Sequence, residues 1–437
     1  MEDLAGYRGS ALDFLKKAKA GVGDVLEVKT EWGPVTGTVV PRYALGDDSH
    51  VVLKLKSGYN VGLDVSKLAG ASVKAKGEAP SFKAPPVPRP KGALPRVLVL
   101  GTGGTIASRV DYRTGAVTPA VSSEELHALI PELSDIARIE PEILFSVLSE
   151  DIGPTHWSAI AKRVAKALKD GVDGVVVTHG TDTMGYTAAA LSFALAGIPV
   201  PVVLVGAQRS SDRPSSDATL NLIGGVTAAA NAPFAGVYVA MHLDESDERI
   251  AFHRGTRVRK SHTSRRDAFV SVGVPVAGVW GRGGFEYVDG GLPQRKGSSF
   301  SPRPEFDPRA ALLKFYPGMP ASMIGAAETA GAKGIVVEGT GLGHTSRECI
   351  KELKRFVDGG GAAFMTSQCI NGRVDMNVYE NGRDLLHAGV VPLEDMLAET
   401  ALVKAMWALG NASSADGVIR LMKQAVAGET TLRGFPG

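Results

Sequence analysis

Residues 97–108 read VLVLGTGGTIAS, and residues 174–183 read GVVVTHGTDT. Each is a short aliphatic run that stops abruptly in glycines, hydroxyls and, in the second, an acid. An apolar run without alternation, closed by such a cluster, is the pattern of a strand buried on both faces. Working outward, the same unit recurs. Trp157–Leu168 has helical spacing and leads through Gly171 to the strand Gly174–Thr178. Thr187–Ala196 is helical and precedes a strand at Val200–Val205; Asp217–Ala230 is helical and precedes one at Gly236–Met241. Strands alternating with helices predict βαβ units and a mostly parallel, helix-covered sheet. In such sheets ligands bind beyond the carboxyl ends of the strands, where both glycine-rich clusters stand.

After a break at 288–310, rich in Gly, Pro, Ser and charges, the rhythm restarts. Strands are predicted at Leu313–Tyr316, Gly334–Val337 and Ala362–Thr366. Helices are predicted at Ala321–Ala330, Ser346–Asp358, Leu393–Gly410 and Ser413–Ala425. Upstream, Pro80, Pro85, Pro86, Pro88, Pro90 and Pro95 crowd together, which fixes φ, removes donors and predicts an extended linker. Before that linker, residues 10–20 form a short amphipathic pattern. Alternating runs follow at Asp24–Thr30, Val35–Val40, His50–Lys56, Tyr59–Leu63 and Ser72–Ala75, as in a small SH3-like barrel. The expected fold is therefore α/β, a β module followed by two α/β domains with mostly parallel sheets. Its expected divisions are a module at 1–78 with an N-terminal helix, a linker at 79–95, α/β domains at 96–287 and 311–437, and a linker at 288–310.

Composition excludes several classes. The 437 residues are 44% hydrophobic and 22% charged, enough apolar surface for a substantial core and against general disorder. Lys plus Arg number 48 against 46 Asp plus Glu, so the chain is no globally basic wrapper of nucleic acid. The 53 glycines follow no triplet period, which excludes collagen and points to tight turns and close backbone approaches. Two cysteines, Cys349 and Cys369, are too few for a disulfide scaffold and read as buried thiols of a cytosolic protein. The N-terminus, with Glu2, Asp3 and Asp13 and no long apolar stretch, does not read as a secretory leader. No charge occurs from Met184 to Gln208, yet Gly197, Pro199 and Pro201 make this a helix, a turn and a strand rather than a membrane span.

The glycine-rich loop 101–108 is neither a G-x-G-x-x-G nor a phosphate loop with a Lys-Ser/Thr pair. It offers two hydroxyls, Thr102 and Thr105, while Gly103 and Gly104 let backbone N–H groups approach what a hydroxyl attacks. The second cluster adds His179, Thr181, Asp182 and Thr183; one of these suits packing, but four together suit a site. A third cluster, Arg254, Arg257, Arg259, Lys260, His262, Thr263, Ser264, Arg265 and Arg266, reads as a solvated surface or an anion-binding rim. No HExxH, CxxC or histidine spacing points to a metal, and no G-x-S-x-G elbow occurs.

GTGGTIAS and THGTDTMGYTA resemble the two signature segments of the L-asparaginase/glutaminase amidohydrolase family. The likeness continues through PVVLVGAQRSSDRPSSDATLNL, RVRKSHTSRRDAF and SQCINGRVDMNVYENGRDLLHAGVVPLEDMLAETALVKAMWALG, covering about residues 94–437. The resemblance implies that Thr105 is the nucleophile, with Tyr112 beside it. Thr181, Asp182 and Lys260 form a second triad in which Lys260 assists a threonine hydroxyl. Ser149, Glu150, Asp182 and Gly104 would bind the substrate, Ser149 at its α-carboxylate and Asp182 at its α-amino group. Many family members carry Gln where this chain has Glu150. The chemistry is coherent, since amide hydrolysis needs a nucleophile, a proton acceptor and donors for the oxyanion. A lysine serves as that acceptor only in its neutral form.

The added β module is similar to that of the D-subunit family of archaeal glutamyl-tRNA(Gln) amidotransferases. That likeness implies a glutaminase passing ammonia to an amidotransferase E subunit, which uses ATP and Mg2+ to convert Glu-tRNA(Gln) to Gln-tRNA(Gln). It implies no cofactor or metal in this chain, a homodimer within an α2β2 assembly, tRNA(Gln) contacts mostly through the partner, a cytoplasmic site and no membrane. The leading alternative is a free cytoplasmic L-asparaginase/glutaminase. Two others are an assembly protein on a retired fold, opposed by the intact threonines, Asp182 and Lys260, and a direct tRNA binder, opposed by the near-zero net charge.

Overall fold

The computed structural model describes residues 4, 6–40, 42, 47–56, 59–77, 93–104, 108–110, 117–119, 126, 130–209, 215–295 and 300–431. The chain divides into two compact units, 1–85 with 108–118, and 86–107 with 119–437.

In the first unit α1 (Gly9–Ala18) precedes β1 (Val25–Thr30), β2 (Gly33–Val39), β3 (His50–Lys54), β4 (Asn60–Asp64) and β5 (Gly70–Ala75). They make one antiparallel sheet in the order β4-β3-β2-β1-β5, as the alternation predicts. Leu26 and Val28 of β1 and Val51 and Leu53 of β3 turn to one core, two residues apart along each strand. Ala11 and Leu15, one helical turn apart on α1, close that core. Tyr7 pins the sheet, its Oη donating to the Val40 carbonyl (2.8 Å) and accepting from the Val52 amide (3.1 Å). The expected linker lies outside the described residues over 79–92.

The larger unit begins with β6 (Arg96–Gly101). A short pair, β7 (Ser108–Val110) and β8 (Val117–Pro119), follows in sequence. Then come β9 (Arg138–Ile143), α2 (Pro154–Lys169), β10 (Gly174–Thr178), α3 (Met184–Ala194), β11 (Pro201–Val205), α4 (Ala218–Asn231) and β12 (Gly236–His242). Five short strands complete the series: β13 (Arg249–Arg254), β14 (Val258–Lys260), β15 (Phe269–Ser271), β16 (Gly278–Gly281) and β17 (Gly284–Val288). Eight strands form one sheet in the order β17-β16-β13-β12-β11-β10-β6-β9, while β14 and β15 pair as a separate hairpin. From β9 to β12 the neighbours are parallel, and from β12 to β17 they are antiparallel.

Both sheet faces are buried, which explains the unbroken apolar runs. Val97, Val99, Val176, Val203 and Val205 meet α4 on one face; Leu98, Leu100, Val175, Val177, Val202 and Leu204 meet α2 and α3 on the other. The edge strand β9 has no apolar signature. Its Glu140 and Glu142 pair with Arg96 (2.9 Å) and Arg163 (2.6 Å), and charge on an edge strand discourages further pairing.

The second half contains β18 (Ala310–Lys314), α5 (Ser322–Thr329), β19 (Gly334–Gly339), α6 (Arg347–Asp358), β20 (Ala362–Ser367), α7 (Glu380–His387), β21 (Val391–Pro392), α8 (Ala398–Asn411) and α9 (Ala415–Lys423). Its four strands are parallel and adjacent in chain order. Helix α3 is wedged between the two halves, with Phe193 stacked on Trp407 of α8 at 5.8 Å. A helix buried all round must be apolar all round. That is the reason for the uncharged run beginning at Met184; among the described residues no helix is long and apolar enough to cross a membrane. The segment before β18, read from sequence as a linker, is docked: the Arg303 amide donates to the Ala194 carbonyl (2.8 Å) and Trp407 Nε1 to the Arg303 carbonyl (3.0 Å). Cys349 is buried as expected, but Cys369 is exposed, because it follows the end of β20 rather than facing a core.

Candidate active site at the strand ends

The site floor follows from strand register. Gly101 of β6 lies opposite Thr178 of β10. One residue on, Thr102 donates from both its amide (3.2 Å) and its hydroxyl (2.7 Å) to the Thr178 carbonyl. Thr102 is fully buried, so its hydroxyl ties two loops together and does not face a substrate. Gly103 and Gly104 follow at φ +136° and +76°. A Cβ on Gly103 would stand 2.1 Å from the Val147 carbonyl oxygen, and one on Gly104 would stand 3.0 Å from the backbone of His179 and Gly180. Gly180 in turn faces Ser149, whose Cβ lies 2.8 Å from the place of an added methyl. Three loops thus interlock through glycine.

Gly180→Ala should therefore push Ser149 aside. Overpacking of this kind costs about 1–3 kcal/mol. Denaturant unfolding should show that loss together with a raised KM for substrate, and an unchanged KM would detach Ser149 from substrate binding.

His179 serves structure. It is 1% exposed, with Nδ1 2.6 Å from the Gly180 carbonyl and Nε2 2.8 Å from Thr187 Oγ1. Trp157 Nε1 donates to the same Thr187 hydroxyl (3.1 Å). A carbonyl only accepts and an indole N–H only donates, so one arrangement satisfies all four groups. Trp157 donates to Thr187, Thr187 donates to Nε2, and Nδ1–H donates to Gly180. This demands a neutral imidazole, and burial does lower the His179 pKa to about 4. Buried His253 on β13 is likewise pushed down to about 4 by burial. The unfolded chain takes up these protons near pH 6.5 and the native one does not. Stability is therefore complete above about pH 6.5 and falls toward pH 4, by up to about 1.4 kcal/mol per pH unit per histidine. Thermal midpoints across that range check this, and a His179→Gln variant should show the shallower slope.

Above the floor stand the groups that face solvent. Lys260 Nζ, on β14, donates to Thr181 Oγ1 at 2.9 Å and to Asp182 Oδ1 at 2.7 Å. Thr181 is 9% exposed, whereas the Asp182 side chain is 68% exposed and open to a ligand. Ser149 is buried, and its hydroxyl donates to Glu150 Oε2 at 2.9 Å. Thr183 donates to the Ser149 carbonyl at 2.6 Å, so the THGTDT loop fixes the Ser149 loop directly. Five of the residues singled out from sequence, Gly104, Ser149, Thr181, Asp182 and Lys260, belong to this cluster of loops, with Glu150 bonded to Ser149. Thr105 and Tyr112 lie outside the described residues. Among the described residues no cluster of His, Cys, Asp and Glu is arranged to hold a metal.

The reading of the basic cluster as a solvated surface or anion rim holds for His262, Thr263, Ser264 and Arg265, which are exposed, and needs correction for Arg254, Arg257, Arg259 and Arg266. Arg257 is 1% exposed and paired with Asp395 (3.1 Å). Arg254 pairs with Asp289 (2.5 Å), Arg259 with Glu399 (3.2 Å), Arg265 with Asp267 (2.6 Å) and Arg266 with Asp247. Asp267 is a sequence neighbour of Arg265, but the other acids stand 19 to 140 positions from their arginines, so no local charge count could reveal them. Sequence reading also missed Asp217 and Asn221. Asp217 is fully buried and accepts from the amides of Gln208 (3.0 Å) and Arg209 (2.9 Å) beyond β11. Asn221 Nδ2 donates to Asp217 (3.0 Å) and to the Gly206 carbonyl (2.9 Å). The one sequence signal for them is an Asp and an Asn four residues apart at the start of a helix that carries no other charged residue.

Three family models match the chain: "Asparaginase, N-terminal" over 96–289, "Glutaminase/Asparaginase C-terminal domain" over 309–422, and "GatD N-terminal domain" over 20–73. Among solved structures, the thermostable L-asparaginase from Thermococcus kodakarensis is 34% identical, with a TM-score of 0.68 over 77% of this chain and 99% of that one. L-asparaginase I from Vibrio cholerae is 29% identical, with a TM-score of 0.67 over 78% of this chain and 100% of that one. The relatives that also span the β module carry another name. The glutamyl-tRNA(Gln) amidotransferase D subunit of Pyrococcus furiosus is 50% identical over 96% of this chain and 97% of its own. The corresponding D subunit of Metallosphaera sedula is 48% identical over 98% and 96%. With its module, both asparaginase-type halves and this identity along nearly its whole length, the chain belongs to the D-subunit family of glutamyl-tRNA(Gln) amidotransferases.

Proposed function

We propose that the chain is the glutaminase subunit of a tRNA-dependent amidotransferase. The single observation that carries this is the extent of the likeness. Free asparaginases cover about three-quarters of the chain, whereas the D-subunit relatives cover 96% and include the N-terminal module. In this reading the hydroxyl of Thr105 attacks the side-chain amide carbon of glutamine. The C–N bond breaks as the nitrogen takes a proton and leaves as ammonia, and an acyl-threonine ester remains. Water then cleaves the ester and releases glutamate, restoring the threonine hydroxyl. Tyr112 assists beside Thr105.

Lys260, Thr181 and Asp182 act as a proton-handling group. The Lys260 amine donates to both neighbours in the structure. To accept a proton from a threonine hydroxyl it must first release one. Asp182, exposed and anionic, suits the substrate's α-ammonium. Ser149 suits its α-carboxylate once its hydroxyl turns from Glu150 to donate to it, with Gly104 in the adjoining loop. Glu150 stands within hydrogen-bond distance of the Ser149 hydroxyl, and a carboxylate there repels the substrate's own. A neutral glutamine, which many members carry at this position, would exert no such repulsion.

The ammonia passes to a cytoplasmic partner, the amidotransferase E subunit, in an α2β2 assembly. That partner holds ATP, Mg2+ and most of the tRNA(Gln) contacts, and this chain holds no cofactor. The experiment compares hydrolysis of glutamine and asparagine by the purified chain, with and without the partner and Glu-tRNA(Gln). Glutamine hydrolysis that rises with partner and tRNA is expected. Strong asparagine hydrolysis, indifferent to both, would replace this reading with that of a free asparaginase.

A further inference from the structure

Lys260 reaches Thr181 and Asp182 from β14, a three-residue strand in a hairpin outside the main sheet. Pairing with β15 holds the two strands to each other but does not set where the hairpin sits. Val258, Ala268 and Phe269 pack into the core, and polar contacts complete the anchorage. Arg257, immediately before β14, commits four of its five guanidinium N–H groups. Its Nε donates to the Val272 carbonyl (2.9 Å), Nη1 to the carbonyls of Asp395 (2.9 Å) and Glu429 (3.0 Å), and Nη2 to the Asp395 carboxylate (3.1 Å). Thr256 adds a hydroxyl bond to the Ala427 carbonyl (3.0 Å), and its own carbonyl accepts from Thr400 (3.0 Å). Apart from Val272, every one of these partners belongs to the C-terminal half: the loop before α8, α8 itself, or the segment after α9.

That last segment, 424–431, has no regular structure of its own; Asp395 accepts from the Thr431 amide (2.9 Å) and hydroxyl (2.6 Å), and the buried carboxylate of Glu429 organises the turn before it. Glu429 is fully buried and accepts from the amides of Val426 (3.0 Å) and Ala427 (2.7 Å). It pairs with Lys404 at 2.5 Å, and Lys404 also donates to the carbonyls of Met422 (2.9 Å) and Gln424 (2.6 Å). A buried ion pair costs so much desolvation that apolar residues of similar volume often serve stability as well or better. Directional bonds that fix a loop are something apolar residues do not supply.

We propose that the buried Lys404–Glu429 pair and Arg257 form a clamp through which the C-terminal half positions Lys260. Arg257 and Glu429 are positioning residues, acting through β14 and touching no substrate. The inference rests on the reading of Lys260 as part of the hydrolytic machinery. The lysine side chain has four rotatable bonds, so the place of its amine depends on where β14 begins. Misplacement by about 1 Å at a catalytic group costs on the order of 100-fold in rate.

The test is a double-mutant cycle on the full chain assembled with its partner subunit, read as kcat and KM for glutamine. Arg257→Lys keeps the charge but cannot reach four acceptors. It should lower kcat by about tenfold with KM changed less than about twofold, the split expected when an interaction made only in the transition state is lost. Glu429→Gln keeps an oxygen for the Val426 and Ala427 amides but removes the charge facing Lys404. It should give a smaller fall of the same kind, and it carries the test if Arg257→Lys does not fold by circular dichroism. In a Lys260→Met background neither change should lower the residual rate further, because what they misplace is gone. A folded Arg257→Lys or Glu429→Gln protein with wild-type kcat overturns the clamp. So does an equal fractional loss with and without Lys260, which marks a general structural role. If Lys260→Met alone keeps the wild-type rate, the reading of Lys260 fails, and the clamp fails with it by a separate route.

Discussion

Lys260→Met is expected to lower kcat for glutamine hydrolysis by about 10²–10⁴-fold, the range for loss of a positioned proton-transfer group. Methionine keeps the unbranched stem, which is largely buried, and so preserves the packing of β14. It removes the amine that stands 2.9 Å from Thr181 Oγ1 and 2.7 Å from Asp182 Oδ1. Asp182 is mostly exposed, so it stays solvated without its lysine and can still meet an α-ammonium. The loss should therefore fall on kcat far more than on KM. Steady-state kinetics at saturating glutamine measure it, and a kcat within about threefold of wild type would remove Lys260 from the chemistry. The pH–rate profile adds an independent check, because the limb that reports the proton acceptor should vanish with the amine.

Thr105→Ala should abolish glutamine hydrolysis, a loss on the order of 10⁴-fold or more, as removal of a covalent nucleophile typically gives. Alanine has no oxygen with which to form the acyl ester. The partner's chemistry, in contrast, needs only ammonia. With ammonium salt supplied, the assembled complex should still convert Glu-tRNA(Gln) to Gln-tRNA(Gln) at a near-normal rate. Loss of both activities would show that Thr105 is needed for the assembly as a whole and would sink the division of labour between the subunits.

Much of the site was legible because its residues lie at the ends of unmistakable strands. The runs at 97–100 and 174–178 are apolar without alternation, since helices cover both sheet faces. The clusters following them could therefore be placed at strand ends from the sequence. Individual roles were less legible. Thr102 and Thr105 are both threonines of one glycine-rich loop, and only the register of β6 against β10 shows that the Thr102 hydroxyl is spent on the Thr178 carbonyl. His179 looked as reactive as its neighbours, yet the Trp157–Thr187 pair commits it to a neutral structural role. The antiparallel strands β13, β16 and β17 and the edge strand β9 escaped notice because strands of four to six residues, two of them bearing charges at or near their ends, leave no clear periodic signal.

The sequence by itself determined the α/β architecture, the added β module, the glycines at the strand ends and the identities of the threonines, acid and lysine. These are local properties, written in runs and spacings of a few residues. The tertiary structure alone decided which arginines are surface and which are core, and what holds Lys260 where it is. Arg257 and Glu429 stand 172 positions apart, and each looks like an ordinary solvated charge until the fold removes water from both. Burial and partnership are properties of the packed chain, and no window of sequence contains both members of such a pair.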